Sequence, residues 1–408
     1  MPLSKLWILA YRDLGRNRRR SLLTLVAVAL GLALLMVMNG FTAGALEDSL
    51  QNNIRLNTGH LQLRANSYNS EELSLQWKDL LTDPDLVAER VRGLSQVKAA
   101  APVVWARGML ASTNDSAGLQ LYGIATESSI YDPIRSAIVA GAFLTPDDRG
   151  GIVIGKRLAD SLGVTVGRNV SLAIVNADGQ SNEGVFTIRG LFATGIPAYD
   201  DNAALMPLSK AQAFTQSDRR ASAIIILLNN QADTATVAAA LQQPGVRVLT
   251  WIDMNELLIQ TMQTGMSFYV ILDGIVMLIV AVIIANTLLM SVFERIREMG
   301  ILSALGMKGR HLMQMFLLEA ACLALAGIAV GVVIGLAGVA YLAYVGIPIG
   351  EMAAATGNSV ALSTTMRARF VPVTFAELAL ATLMIILLAA LYPAWYAARL
   401  EPVAALRA

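Results

Sequence analysis

Two long apolar runs separated by a short charged segment constrain this chain more than any other feature. Residues 267–292 and 312–345 are predominantly apolar, and about 20 such residues suffice to cross a bilayer as a helix. The segment Phe293–His311 between them must lie in water, because charged side chains are costly in lipid. It contains four basic residues, Arg295, Arg297, Lys308 and Arg310. An excess of arginine and lysine in a short loop predicts the cytoplasmic side of the membrane.

The composition is that of a polytopic membrane protein. Hydrophobic residues make up 55% of the chain and charged residues 15%, and the mean hydropathy of +0.55 is too apolar for an ordinary soluble protein. The net charge of +1 gives no broad basic field, so we expect membrane lipids and no nucleic acid as partners. The single cysteine, Cys322, and the two distant histidines predict neither a disulfide framework nor a metal centre, and we expect no cofactor on this chain.

Four apolar runs predict a polytopic α-helical membrane protein with four transmembrane helices and both termini in the cytoplasm. The predicted segments are an amphipathic cytoplasmic helix at 1–20, transmembrane helices at 21–43, 266–292, 312–346 and 372–396, an exported domain at 44–265, a cytoplasmic helix at 293–311, an exported loop at 347–371 and a cytoplasmic tail at 397–408. A cleaved signal peptide is the alternative at the N-terminus, because the small residues Ala43-Gly44-Ala45 follow the first apolar run. The long charged lead and the length of that run favour a transmembrane helix.

Residues 44–265 contain no membrane-spanning run and predict a large exported α+β domain with its own core, or two. Alternating and β-branched residues predict strands at 61–64, 103–111, 119–124, 151–154, 170–175, 185–191, 223–228 and 246–249. Helices are predicted at 85–92, 156–162, 209–216 and 234–242. We expect the chain that enters from the first span to pair with the chain that returns to the second.

A near match to a phosphate-binding loop lies inside this domain. Residues Gly150–Arg157 have the sequence GGIVIGKR, against the pattern G-x-x-x-x-G-K-[ST]. Arg157 stands where a hydroxyl would bind magnesium, and the predicted location is outside the membrane, away from ATP. We interpret the match as a strand-to-helix turn and expect ATP hydrolysis to occur on another polypeptide.

Polar and small residues inside the predicted spans indicate how the helices pack. Asp273, Glu319 and Glu377 lie in or near the spans, with no evident cationic partner in the sequence. A proton relay is one interpretation, and contact between helices is the one we favour. Glycines recur along the third span, at Gly327, Gly331, Gly335 and Gly338. This spacing predicts close helix packing, within the chain or at a dimer interface.

The charged segment itself predicts a short amphipathic helix. Its apolar residues recur at intervals of three, at Ile296, Met299, Leu302 and Leu305. Gly306 is placed to end the helix. Periodicity alone would favour an ordinary loop between two membrane helices, so the identity of the residues decides the interpretation.

Two motifs carry a family resemblance. Residues 294–306 have the sequence ERIREMGILSALG, which resembles the coupling segment of the FtsX/MacB family of ABC transporter permeases, including its lipoprotein-releasing, LolC/LolE-type branch. Residues 392–407 contain YPAW, AARLEPV and ALR, which resemble the C-terminal signature of that family. The short match Asn39-Gly40-Phe41 favours the lipoprotein-releasing branch.

This resemblance implies a domain architecture, partners and site residues. The exported, periplasmic domain is expected to be a Porter-like subdomain interrupted by a Sabre-like one. The chain is expected to be a non-catalytic subunit of the bacterial inner membrane that works with ABC ATPase subunits, which bind ATP and Mg, and with a second permease, identical or homologous. The expected ATPase-coupling residues are Glu294, Arg295, Arg297, Glu298, Gly300, Ile301, Leu302, Leu305 and Gly306. The expected C-terminal motif residues are Tyr392, Pro393, Ala398, Arg399 and Pro402.

The resemblance further implies mechanical work on a periplasmic or membrane-anchored substrate, such as the release of a lipoprotein from the inner membrane. Efflux of a drug, peptide or lipid is the alternative within the transporter class. Transmembrane signalling to a cell-wall hydrolase, as in the cell-division member of the family, is a second alternative. A membrane enzyme has little support, because the sequence assembles no Ser/His/Asp, Cys/His or metal constellation.

Overall fold

The computed structural model describes residues 18–69, 72–148, 150–350 and 362–399. The predicted amphipathic helix at 1–20 and the tail at 397–408 lie largely outside these residues. The chain divides into two compact units. The helical unit comprises residues 1–45, 262–347 and 367–408, and the sheet unit comprises residues 46–261 and 348–366.

Helices and strands alternate through the sheet unit, and long helices make up the helical unit. The α-helices are α1 Arg18–Asn53, α2 Pro84–Arg92, α3 Asp132–Ser136, α4 Lys156–Ser161, α5 Pro197–Asp200, α6 Leu208–Thr215, α7 Thr234–Ala240, α8 Trp251–Met254, α9 Glu256–Glu294, α10 Ile296–Ala304, α11 Gly309–Val345 and α12 Pro372–Ala398. The strands are β1 Leu61–Ala65, β2 Val97–Ala111, β3 Ser116–Ile124, β4 Ile138–Gly141, β5 Gly151–Gly155, β6 Asn169–Val175, β7 Ser181–Phe192, β8 Ala203–Pro207, β9 Ala223–Leu228, β10 Val246–Thr250, β11 Ile347–Pro348 and β12 Thr365–Met366.

Four helices among the described residues, α1, α9, α11 and α12, are long and apolar enough to cross a membrane. Their lengths are 36, 39, 37 and 27 residues. At a rise of about 1.5 Å per residue, α1 and α9 measure about 54 and 58 Å, against a hydrocarbon core of about 30 Å. Both helices are therefore longer than a bilayer requires, and the boundary between the two units falls inside each of them.

The glycine stripe of α11 packs against α1. A Cβ atom at Gly331 would lie 2.8 Å from the carbonyl oxygen of Ala29, and one at Gly335 would lie 2.8 Å from the sulfur of Met36. These distances are too short for a side chain, so glycine lets the two backbones approach closely. The stripe is used inside the chain, which is one of the two arrangements that its spacing predicted.

Polar contacts join α1 to α9 at two levels. Arg20 Nη1 lies 2.7 Å from the carboxylate of Glu294. Nearer the middle of both helices, Asn39 Nδ2 donates to both carboxylate oxygens of Asp273, at 3.2 and 3.1 Å. Asp273 thus bridges two helices, as expected for a packing role. Glu377, near the start of α12, is exposed.

One mixed sheet of ten strands organises the sheet unit. The strand order is β10-β1-β9-β2-β3-β8-β5-β7-β4, and β6 pairs with β2 and β7. β1, which follows α1, pairs antiparallel with β10, which precedes α9, so that Leu61 lies opposite Thr250. The pairing expected from the sequence is therefore present. The central third of the domain, where the resemblance places the Sabre-like insertion, contributes β4 to β7 to this same sheet, and the subdomain boundary stays a prediction.

Apolar side chains are buried on both faces of this sheet. Successive side chains of a strand point to opposite faces, so neighbouring residues of one strand contribute to different clusters. On β2, Val104 and Ala106 belong to one buried cluster, and Val103 and Trp105 belong to another. A third cluster lies where α2 and α7 pack on β1 and β9. The described part of the sheet unit thus has three apolar clusters, where its length suggested one core or two.

The predicted strands each overlap an observed strand, and the predicted helices of the exported domain overlap α2, α4, α6 and α7. The sequence pattern does not predict β4 or β8. β8 is buried along its whole length, and β4 has four residues and is mainly exposed. The sequences of β4 and β8 therefore lack the alternation of apolar and polar residues that is typical of a half-buried strand.

The segment that resembles a phosphate-binding loop is a strand-to-helix turn. β5 ends at Gly155 and α4 begins at Lys156. Lys156 Nζ lies 2.6 Å from the carboxylate of Asp160, and Arg157 Nε donates to Asp201 at 2.6 Å. A Cβ atom at Gly155 would collide with the carbonyl oxygen of Asp200. Close packing explains the glycine here, and the basic side chains are held in ion pairs.

Candidate functional site

The charged segment between the second and third long helices folds as α10, a nine-residue helix. Its buried side is anchored by Met299, which packs with Val292 of α9 and Phe316 of α11 in one apolar cluster. Ile296 and Leu302 are partly buried against the same cluster. Gly306, with a φ of +94°, follows the helix in a left-handed conformation, as expected for the residue that ends it.

Leu305 does not share the buried face that its spacing suggested. Its side chain is 81% exposed, whereas Met299 is 2% exposed. A helix turns by about 100° per residue, so each interval of three falls about 60° short of a full turn. Over the nine residues from Ile296 to Leu305 this shortfall reaches about 180°, which turns Leu305 to the opposite side of the helix. A spacing of three therefore does not keep all four apolar residues on one face, and Leu305 is exposed.

The solvent-facing side of α10 carries both charged and apolar groups. The exposed residues of the helix are Arg297, Glu298, Ile301 and Ala304, and Leu305, directly after it, is exposed as well. Ile301 is 47% exposed. Their spacing of one, three or four residues places them on one face, which we call the α10 outer face. An apolar pair flanked by charges is suited to contact with another protein.

Two of the predicted coupling residues are buried instead. Gly300 is buried in α10, and Arg295, just before the helix, is 6% exposed. Arg295 Nη1 lies 3.7 Å from Glu319 Oε2 of α11, and Glu319 is equally buried. Glu319 therefore does have a cationic partner, which its sequence neighbourhood does not reveal because the two residues are 24 positions apart. The pair positions α10 against α11.

The C-terminal motif packs directly behind α10. Ala394 and Ala397 of α12 lie in the same cluster as Met299, and Pro393 is buried inside the helix. A Cβ atom at Gly309, the first residue of α11, would collide with the carbonyl oxygen of Ala398. The two motifs, about a hundred residues apart in the sequence, thus form one structural element.

Aromatic side chains make further contacts between the end of α9 and the C-terminal motif of α12. The rings of Phe293 and Tyr396 meet edge to face, with centroids 5.6 Å apart. Arg399 lies over the ring of Trp395 at 4.4 Å, and Tyr392 is exposed. Pro402, the last residue of the predicted motif, lies outside the described residues.

Comparison with known protein families identifies both parts of the chain. Residues 21–243 match the MacB-like periplasmic core domain, and residues 270–402 match the FtsX-like permease C-terminal domain. The first match alone covers more than half of the chain. This protein belongs to the FtsX/MacB family of ABC transporter permeases. The resemblance seen in the two motifs is confirmed, and the second match contains α10 and most of the C-terminal motif.

Curated relatives place the FtsX/MacB-family chain among transport proteins. It is 27% identical over 342 residues to the lipoprotein-releasing system transmembrane protein LolC of Neisseria meningitidis, covering 78% of each chain. It is 26% identical over 363 residues to the macrolide export ATP-binding/permease protein MacB of Wolinella succinogenes, covering 84% of this chain and 54% of that protein. The chain thus spans about half the length of this MacB relative.

A solved structure of the same class is also similar. The crystal structure of the periplasmic region of MacB from Actinobacillus actinomycetemcomitans is 14% identical, covers 51% of this chain and 97% of that one, and has a TM-score of 0.36.

The family assignment gives the protein a coarse role. It is a permease of the ABC transporter class, with apolar helices and a periplasmic-type domain that fit a bacterial membrane protein. Permeases of this family are generally non-catalytic and work with ABC ATPase partners.

Proposed function

We propose that this permease transmits the movement of a separate ATPase from the cytoplasm to its periplasmic domain, and that the α10 outer face is where the ATPase docks. The observation that carries the proposal is the exposure of Ile301 and Leu305 on a helix whose other side is locked into the membrane helices. ATP and Mg are bound by the partner, and this chain contributes no catalytic group. In this arrangement the chain lies in the inner membrane with both termini in the cytoplasm.

Packing behind α10 supports a mechanical role. Met299 contacts a cluster that contains Val292, Phe316 and Ala394, so a displacement of α10 reaches three membrane helices at once. Protein interiors are close-packed, which means that such a cluster moves as a body and does not absorb the displacement. The two nucleotide states of the ATPase must favour different helix arrangements for this to do work.

Lipoprotein release from the inner membrane is the substrate assignment we favour. The LolC relative matches this chain over 78% of both lengths, so the whole architecture corresponds and not one domain alone. A second permease, identical or homologous, completes the membrane part. Export of a macrolide-like compound is the second candidate, and it is favoured by the MacB relative, which matches 84% of this chain.

Copurification from native membranes tests the docking proposal. After mild crosslinking, the tagged chain is expected to retain ABC ATPase subunits, identified by mass spectrometry. Ile301→Glu and Leu305→Glu should each reduce the bound ATPase at least about tenfold, because interface anchors contribute about 2 kcal/mol or more. Gln314→Glu, which adds the same charge at an exposed position outside α10, should leave binding within about twofold. If Ile301→Glu and Leu305→Glu retain as much ATPase as the wild type, the α10 outer face is not the docking site.

The same preparation tests the substrate. Diacylated lipoproteins crosslinked to the chain, with release lost in the Ile301→Glu variant, support lipoprotein release. Normal lipoprotein release combined with loss of macrolide resistance in that variant would instead assign the chain to export.

A further inference from the structure

Residues 367–370, with the sequence Arg-Ala-Arg-Phe, come shortly before the membrane helix α12, which begins at Pro372. We call these four residues the arginine segment. Residues 373–391 of α12 contain one charged residue, Glu377. At about 1.5 Å per residue they span about 28 Å, close to the hydrocarbon thickness of about 30 Å. The arginine segment is therefore placed at the level of the lipid headgroups, at one end of α12.

Backbone contacts hold the arginine segment against α1. The N–H of Arg369 donates to the carbonyl oxygen of Gly40 at 2.8 Å. One turn further along α1, a Cβ atom at Gly44 would collide with the carbonyl oxygen of Arg367. Glycine at this position lets the segment lie directly on the helix backbone. The segment is thus in place before any ligand binds, which lowers the entropic cost of binding.

The two arginine side chains remain on the accessible side of the segment. Ala368 is 6% exposed and packs in one apolar cluster with Met36 of α1 and Phe375 of α12, whereas Arg367 and Arg369 are exposed. This alternation is that of an extended chain, in which residues two positions apart point to one side. Each guanidinium offers a planar fork of N–H donors that matches the oxygens of a phosphate group. Two such forks side by side are suited to hold one phosphate.

Exposed aromatic side chains lie at the same level. The N–H of Ala368 donates to the carbonyl oxygen of Leu342 at 3.4 Å, which places the last turn of α11 beside the arginine segment. In that turn Tyr341 and Tyr344 are exposed, the second to 88%, and Phe370 is 57% exposed. Tyrosine is enriched where a membrane meets water, because its ring is apolar and its hydroxyl polar. The neighbourhood of the arginines therefore has the chemistry of a membrane interface.

The charge of the segment indicates which lipids it attracts. In the proposed topology this end of α12 faces the periplasm, where the positive-inside rule makes arginine uncommon. Exposed basic residues at headgroup level attract lipids of net negative charge, and each such residue strengthens the attraction several-fold. A zwitterionic lipid gains less, since its own ammonium group neutralises its phosphate.

We propose that the arginine segment binds the headgroup phosphate of an anionic phospholipid, such as phosphatidylglycerol, in the adjoining leaflet. The acyl chains then lie along the exposed apolar side of α12, which includes Leu380. The inference depends on the helical unit alone, apart from the docking of an ATPase and the identity of the transported substrate. Because the segment contacts α1 and α11 and leads into α12, a bound lipid stabilises the arrangement of these three helices.

Fluorescence quenching of the full-length chain in nanodiscs tests the proposal. Cys322→Ser removes the single cysteine, and Val373→Cys, at an exposed position of α12, then carries the fluorophore NBD. The nanodiscs contain equal amounts of phosphatidylglycerol and phosphatidylcholine, and one of the two lipids carries a nitroxide quencher close to its headgroup. We expect phosphatidylglycerol to be enriched over phosphatidylcholine beside the label at least about fivefold.

Substitutions assign the enrichment to the two arginines. Arg367→Gln combined with Arg369→Gln should abolish it, and each single substitution should lower it about twofold or more. Arg367→Lys combined with Arg369→Lys should retain most of it, because the charge is kept. Arg168→Gln, which changes an exposed arginine of the sheet unit, should leave the enrichment within about 1.5-fold of the wild type.

Thermal unfolding in nanodiscs of phosphatidylcholine alone separates lost lipid binding from misfolding. The double glutamine variant should unfold there at the wild-type temperature, and if it does not, the single variants decide. Equal quenching by the two lipids, or unchanged enrichment in the glutamine variants, would overturn the proposal. Loss of the enrichment in millimolar inorganic phosphate, but not in sodium chloride of the same ionic strength, would overturn it in favour of a soluble phosphate.

Discussion

Arg295 and Glu319 face each other across 3.7 Å with only 6% of each side chain exposed. One residue precedes α10 and the other lies in α11, so the pair fastens the proposed docking helix to a membrane helix. Removing one member of a buried pair leaves an uncompensated charge, which costs about 3–5 kcal/mol.

The first prediction concerns this pair. Glu319→Ala should lower the unfolding free energy of the full chain in detergent by about 3 kcal/mol, measured by thermal unfolding. The double variant Arg295→Met with Glu319→Met should recover most of the loss, because no charge is then left buried. Arg20→Gln, which breaks the more exposed pair with Glu294, should cost less than about 1 kcal/mol. If the double variant is as unstable as Glu319→Ala, the unpaired charge of Arg295 is not the cause of the lost stability.

The contact between Asn39 and Asp273 distinguishes helix packing from proton transfer. Asp273→Asn keeps an acceptor for the Asn39 amide and should leave both stability and transport close to the wild type. Asp273→Leu removes the acceptor and should cost about 1 kcal/mol, in the range measured for hydrogen bonds between membrane helices. Loss of substrate release by Asp273→Asn, with normal assembly and ATP hydrolysis, would instead indicate a proton relay.

The glycine stripe allows a controlled test of the packing of α11 on α1. Gly331→Val would place side-chain atoms against Ala29, where even a Cβ would be 2.8 Å from the carbonyl oxygen. We expect a loss of about 1–3 kcal/mol from overpacking, seen as a lower thermal unfolding temperature. Gly274→Val in α9 is the matched control, because a Cβ there meets nothing within 4 Å. Equal effects of the two substitutions would contradict the described packing.

A fourth prediction is that acid weakens the pairing of β1 with β9. The Nδ1 atom of His60 accepts a hydrogen bond from the backbone N–H of Leu228 at 2.9 Å, so the ring must be neutral at that nitrogen. Burial, together with Lys98, lowers the pKa of His60 from its ordinary value. A lowered pKa in the folded state means that this stabilisation is full above about pH 6.5, the unfolded value, and is lost as the pH falls through the folded pKa.

Amide hydrogen exchange of the full chain measures this effect. After correction for the intrinsic exchange rate, the Leu228 amide should lose protection between pH 7.5 and pH 5 in the wild type. His60→Gln should remove that pH dependence, and an identical pH profile in the two proteins would rule out His60 as its origin.

Much of the architecture follows from local patterns. The apolar runs predict the four long helices. Alternation predicts strands such as β1 and β3, and a run of β-branched residues predicts β9, within a few residues of their observed ends. Strand β8 escapes detection because it shows no alternation and, unlike the equally buried β5, contains no β-branched residue. The family motif identifies the region of α10, and the observed helix, Ile296–Ala304, lies within the predicted cytoplasmic segment 293–311 but is shorter at both ends.

Which residues of the candidate site are buried and which are exposed cannot be predicted reliably from their spacing in the sequence. Leu305 continues the three-residue spacing of the apolar residues of α10, yet the drift of that interval around the helix turns it outward. Arg295 belongs to the same motif as Ile301, and only burial separates a residue that positions the helix from one that can touch a partner.

Hydropathy and periodicity are properties of neighbouring residues, and they predict the four long apolar helices and most of the strands, whereas the identity of the residues in two short motifs predicts the family. Three features of the structure depend on contacts between segments that are distant along the chain. They are the ion pair of Glu319 with Arg295, the packing of α1 against the glycine stripe of α11, and the contacts that hold the arginine segment against α1. Such contacts arise when close packing selects one arrangement among many that the same local patterns permit, and for that reason they become visible only in the folded molecule.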